Sequence, residues 1–243
     1  MRAVPVVAEA PRRPAAHAEG ELVKRILQGN FLSVGTLPSE RELALMLGVT
    51  RPTLREALQR LDRDGWIQVR HGKSTRVRDV WREGGLNVLA ALVRHGGPFP
   101  PHFVGSLLDV RLALAPAYAR AAVQHHGPQV AAMLKDQRPS EEPDAFAEYD
   151  WALHVALATL SQNPIFTLIV NGFADVYRAM APRYFQSKRG RRASAAFYDR
   201  LEEAARKRQA SKAEDVTRAA MAESVALWRA TEARLNKNRR VVA

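Results

Sequence analysis

The 243-residue sequence predicts a mainly α-helical chain with one small β-hairpin, arranged in two parts. Three observations carry this. Residues 38 to 79, "PSERELALMLGVTRPTLREALQRLDRDGWIQVRHGKSTRVRD", hold two short helical patterns, then apolar and basic residues flanking a Gly-Lys turn. Beyond Trp81 the texture changes to apolar residues at helical spacing with few breaks. Apolar residues make up 47% of the chain, enough for a sizeable core.

Taken in order, residues 1 to 18 hold Pro5, Pro11 and Pro14 and two adjacent arginines, and read as a flexible arm. Leu22, Val23, Ile26 and Leu27 set a first helix over 21–28, stopped by Gly29. Ser39 and Glu42 form a capping box for a second helix that Gly48 ends. Thr50 is a natural N-cap for a third, and Pro52 is tolerated in a first turn whose N–H groups lack intrahelical partners. Leu54, Ala57, Leu58 and Leu61 make one face of that helix core. "WIQVR" and "STRVRD" around "HGK" read as a hairpin, with Trp66, Ile67, Val69 and Val77 as its apolar contacts.

The second part reads as helices over 86–94, 103–125, 128–135, 144–162, 164–186, 192–209 and 212–235. The expected divisions are an arm, 1–18; a winged helix-turn-helix, 19–80; a linker helix, 81–98; an all-α helical-bundle domain, 99–235; and a basic tail, 236–243. Gly84-Gly85 reads as a hinge, and Arg189, Arg191 and Arg192 as a solvated loop. "HHG" at 125–127 reads as a helix end capped by Gly127.

The net charge of +12 points to an anionic partner. There is no cysteine, which excludes a disulfide framework and thiolate metal sites and suits a cytoplasmic protein. No apolar run is long enough to span a membrane.

Helix, turn, helix and basic hairpin form the plan of a winged helix-turn-helix. The third helix can enter a DNA major groove by its N-terminal end, where free N–H groups favour phosphates. Arg51 and Arg55 reach phosphates or guanine edges, and the short Thr50 and Thr53 hydroxyls bond phosphate oxygens. Residues 66 to 78 carry Arg70, Lys73, Arg76 and Arg78 and no acid, while Gly72 lets His71 approach the adjacent groove. A sequence-indifferent architectural DNA binder would also use such charge, but has no need of so large an α-helical domain.

The stretch from Pro38 to Val77 resembles the DNA-binding domain of the GntR family of bacterial transcription regulators. "WREGGLNVLAAL", "DAFAEYDWALHVALATLSQNPIFTLIVNG", "RYFQSKRGRRASAAFYDRL" and "ESVALW" resemble the linker and effector helices of its fatty-acid-responsive branch, so the likeness runs from about Glu19 to Trp228. The resemblance implies a homodimeric repressor and activator that binds a palindromic operator in double-stranded DNA and is released by long-chain acyl-CoA. It implies DNA contacts at Arg41, Thr50, Arg51, Thr53, Arg55, His71, Gly72 and Thr75. It implies effector contacts at Arg111, Tyr177, Tyr184, Glu223, Ser224 and Trp228. Pro52 stands where that branch has a threonine, Met221 where it has a glycine and Ala220 where it has a tyrosine; the methionine would block the ligand or reshape an apolar wall. The alternative is a GntR-type regulator answering to another small molecule or to a metal-bound carboxylate.

Asp150 and His154 lie one helical turn apart, an acceptable start for a metal site. Relatives that hold a divalent metal add two later histidines, where this chain has Asp199 and Ala222, so no metal is expected. Glu148 and Asp150 lack a nucleophile or base partner, so no enzyme is expected either.

Overall fold

The computed structural model describes residues 14–31, 34–70, 72–95, 102–136 and 138–242, with the side chains beyond residue 232 left aside. The chain divides into two compact units, Met1–Phe99 and Pro100–Ala243.

The first unit contains α1 (Pro14–Leu27), α2 (Glu40–Leu47), α3 (Arg51–Arg63), β1 (Ile67–Gln68), β2 (Arg76–Val77), α4 (Val80–Glu83) and α5 (Asn87–Arg94). The Ser39–Glu42 capping box forms in both directions, and Gly48, at φ 65°, closes α2 in the left-handed region. Thr50 caps α3, with its oxygen accepting from the Thr53 N–H. Helices α1 and α2 both pack on α3, burying Leu22, Leu43, Leu54 and Leu61. The antiparallel hairpin pairs Ile67 with Val77 and Gln68 with Arg76. Thr36 bridges to Arg76, and the Leu37 N–H donates to the Thr75 carbonyl, so the expected connector adds a third extended segment to the wing.

The second unit contains α6 (Phe103–Asp136), α7 (Pro143–Leu160), α8 (Pro164–Gly172), α9 (Ala174–Phe185), α10 (Lys188–Arg206) and α11 (Ala210–Val242). Helices α7, α10 and α11 pack on α6, and α7 also packs on α8 and α9. Tyr118, Leu134, Leu157, Phe185, Phe197 and Tyr198 lie at the centre of one core.

Several expectations change. Residues 14–18 belong to α1 rather than to an arm, with Ala15 and Ala18 buried, while residues 1–13 lie outside the described residues. Val69 is 44% exposed, because only Trp66, Ile67 and Val77 of the hairpin turn inward. The two helices expected around "HHG" are one run bent at His126, and Gly127 is no left-handed cap. A Cβ on Gly127 would stand 2.9 Å from the Ala205 carbonyl, so that glycine serves close packing. The helix expected over 164–186 breaks at Phe173 into α8 and α9. Arg189, Arg191 and Arg192 lie in the first turns of α10, not in a loop, and Arg191 donates to the Phe185 and Gln186 carbonyls at the end of α9. The expected tail continues α11 as helix through Val242. Gly84, which is exposed, sits in a close turn, where an added Cβ would meet the Val80 carbonyl and the Val88 side chain.

Candidate functional sites

The N-terminal end of α3 presents Arg51 to solvent, and Arg41 on α2 is exposed as well; neither makes an ion pair among the described residues. The Thr50 and Thr53 hydroxyls lie 2.9 Å apart and bond each other, so a phosphate oxygen would meet a pre-arranged pair. Arg55 is not loose: its Nε donates to Glu40 at 2.8 Å, tying α3 to the first turn of α2. Thr75 is half-buried on the wing, and Gly72, at φ 70°, turns its tip. His71 lies outside the described residues.

In the second unit a cavity of about 120 Å³ lies among α6, α7, α8, α9 and α11. Its walls are mainly apolar, including Leu107, Leu108, Leu114, Trp151, Phe173 and Met180. Arg111, Tyr118, His154, Tyr177, Tyr184, Ser224 and Trp228 bring polar groups to it. Of the six effector residues expected from sequence, Glu223 is exposed and does not line the cavity; the other five do. Met221 is 4% exposed and packed in the core, away from the lining.

A polar network borders this cavity. Asp150 Oδ2 accepts from Arg111 at 2.5 Å and from the Tyr177 hydroxyl at 2.6 Å, and Oδ1 accepts from Tyr198 at 2.9 Å. Burial alone would raise the Asp150 pKa, but Arg111 first and then the two hydroxyls hold it below its ordinary value. Burial likewise works against the Arg111 charge, and Asp150 more than restores it. Arg111 also bonds His154 Nε2. A guanidinium only donates, so Nε2 is the accepting nitrogen and Nδ1 carries the proton. That proton points to the Tyr118 oxygen, 2.5 Å away. The imidazole is therefore neutral: burial first, then Arg111, pulls its pKa down to about 3 against the opposing effect of Asp150.

Arg111 and Tyr118 stand seven residues apart on one face of α6, as Asp150 and His154 share one face of α7. Sequence reading found the Asp150–His154 pair but not its partner, since nothing local links it to a residue 39 positions earlier. Among the described residues no cluster of three or more metal-capable side chains occurs. The guanidinium lies against both groups that a metal would use. Asp199 is instead ion-paired with Arg138 at 2.9 Å.

The His154 geometry predicts an acid sensitivity. Its folded pKa lies below the ordinary 6.5, so the unfolded chain takes up the proton first. The contribution is complete above pH 6.5 and is lost as pH falls toward 3, by up to about 1.4 kcal/mol per unit. Protection of the α7 amides against hydrogen exchange, taken relative to the intrinsic exchange rate at each pH, should fall over that range in the parent protein and much less in His154→Gln. Equal loss of protection in both would sink the assignment. Asp150 acts below its ordinary 3.8, and His95, also lowered, lies in the other unit, so a readout local to α7 separates them.

Residues 14–77 match the family described as bacterial regulatory proteins, gntR family, and residues 78–240 match the FadR C-terminal domain. The fatty acid metabolism regulator protein of Edwardsiella ictaluri is 42% identical over 216 residues, 88% of this chain and 90% of that protein. The protein of the same description from Shewanella frigidimarina is 37% identical over the same shares. Among solved structures, Lar, which controls expression of the Listeria monocytogenes agr system, aligns with a TM-score of 0.58 at 17% identity, covering 88% of this chain and 95% of Lar. That likeness concerns the fold.

Proposed function

The chain belongs to the gntR family of bacterial regulatory proteins, and from that premise we propose that it regulates transcription of fatty-acid metabolism genes. It acts as a cytoplasmic homodimer whose two winged helices read the half-sites of a palindrome, since a two-fold protein implies a two-fold site. Arg51 reads a base edge, Thr50 and Thr53 hold a phosphate, and Arg41, Arg55, His71, Gly72 and Thr75 complete the contact surface. Long-chain acyl-CoA enters the second unit at the cavity and releases the DNA. The observation that carries this reading is the pairing of an exposed, cation-tipped α3 with an apolar cavity that has polar groups at its border.

Release requires an effector that binds the non-DNA-binding arrangement more tightly; equal affinity for both arrangements shifts nothing. A smaller effector is the second reading, favoured by the cavity volume. About 120 Å³ lies below the roughly 300–1,000 Å³ of ordinary small-molecule pockets. The test is fluorescence anisotropy on a duplex selected from random DNA by the full chain, at fixed salt because phosphate contacts make affinity ionic-strength dependent. Release by oleoyl-CoA, but not by CoA or oleate, supports the acyl-CoA reading. Tight binding indifferent to oleoyl-CoA removes it and leaves the smaller effector.

A further inference from the structure

Helix α5 is attached at both ends to structure that leads to the C-terminal turn of α3. At its start, Asn87 Nδ2 donates to the Asp64 carbonyl at 2.5 Å, and Asp64 is the C-cap of α3. Just beyond its end, the His95 ring lies against α1 at Gly20, where an added Cβ would stand 2.7 Å from Nδ1. The same ring places Nε2 3.6 Å from Glu19, whose other oxygen is 3.6 Å from Arg60 of α3. Arg60 and Asp64 are four residues apart, one helical turn.

The middle of this chain of contacts is costly to build. Glu19 is 8% exposed, and a buried carboxylate rarely occurs without a partner. His95 Nε2 is itself buried with no hydrogen-bond partner. Burial keeps this ring from protonating readily, against the pull of Glu19. Apolar residues of similar volume would generally stabilise such a position at least as well, so the polar groups are better explained by the geometry they impose. Gly20 fits the same account. A glycine inside α1 weakens the helix, yet no other residue leaves room for the ring.

We infer that Glu19, Gly20 and His95 are positioning residues for the recognition helix: they make α5 and α3 one rigid body, so that any displacement of α5 is a displacement of α3. Asn87 fixes the other end. The inference rests on the proposed function only in taking α3 as the DNA-reading helix. Its mechanical content stands or falls within the first unit.

The chain has no cysteine, so Gln59→Cys on α3 and Arg94→Cys on α5 accept spin labels at those two positions alone. In the otherwise unaltered full chain, mixed with an excess of unlabelled chain so that at most one protomer of a dimer carries labels, the label–label distances should form one narrow distribution. Gly20→Ala and His95→Ala should broaden it, whereas His95→Gln, which keeps a donor toward Glu19, should leave it narrow. Operator affinity should fall about tenfold in His95→Ala and return in His95→Gln, with the salt dependence unchanged because no phosphate contact is lost. Broad distances in the parent, or narrow ones in both Gly20→Ala and His95→Ala, overturn the inference. Should those variants fail to fold, Asn87→Ala, at an exposed position, must broaden the distribution instead. Narrow parent distances in a chain that selects no DNA would remove the proposed function and leave the joint standing.

Discussion

Replacing Asp150 with alanine is expected to destabilise the second unit by about 3–5 kcal/mol, because it strands a buried guanidinium. Asp150 is 2% exposed and accepts from Arg111, Tyr177 and Tyr198. Its loss leaves one charge and two hydroxyls without their acceptor, and each hydroxyl so stranded costs about 1–3 kcal/mol if it finds no other. Urea unfolding followed through the hydrogen-exchange protection of the core amides of α6, α7 and α10 measures the effect. The pair Arg111→Leu with Asp150→Leu should cost less than the sum of the two single changes, since together they remove both charges. A single-variant cost below about 1 kcal/mol would mean that Arg111, whose side chain is 20% exposed, reaches water through the cavity, and the network would then not be a structural centre.

Arg51→Ala is the second large effect, and it concerns recognition rather than stability. An arginine bidentate to one guanine contributes about 1–3 kcal/mol against the wrong base. The substitution should therefore weaken binding to the selected duplex and flatten discrimination at one position of each half-site. Anisotropy across duplexes altered one base pair at a time reads this directly. Equal weakening on every sequence, with a shallower salt slope, would make Arg51 a phosphate contact instead. Arg55 begins from a different state, since it must leave or share Glu40 to meet DNA.

Much of the first unit was legible because its signals are local. Ser39 with Glu42, Thr50 before Arg51, and Gly48 after Leu47 each act within one turn, and each caps its helix as expected. The hairpin was legible as a unit but not in detail: its apolar side chain put Val69 among the expected contacts, and the two-residue strands end before it. In the second unit the expected effector residues came from resemblance, and five of six line one cavity. Tyr118 joins them without having been expected. It lies two turns from Arg111 on a helix whose inward face depends on what packs against it.

By itself the sequence determined the middle of most helices, the caps of α2 and α3, and where the cations of α3 stand, because those depend on contacts within a few residues. Tertiary structure alone decided what each mid-helix glycine and buried charge is for. Gly127 read locally as a helix cap, yet it, Gly20 and Gly190 each lie within a helical run against a group on another element or at its end: the Ala205 carbonyl, the His95 ring and the Tyr184 carbonyl. Arg111 reads locally as a cation awaiting an anion, and its anion is Asp150, on another helix. In each case the partner lies on a different element, so the choice between break and close approach, or free and neutralised charge, appears only once the helices pack.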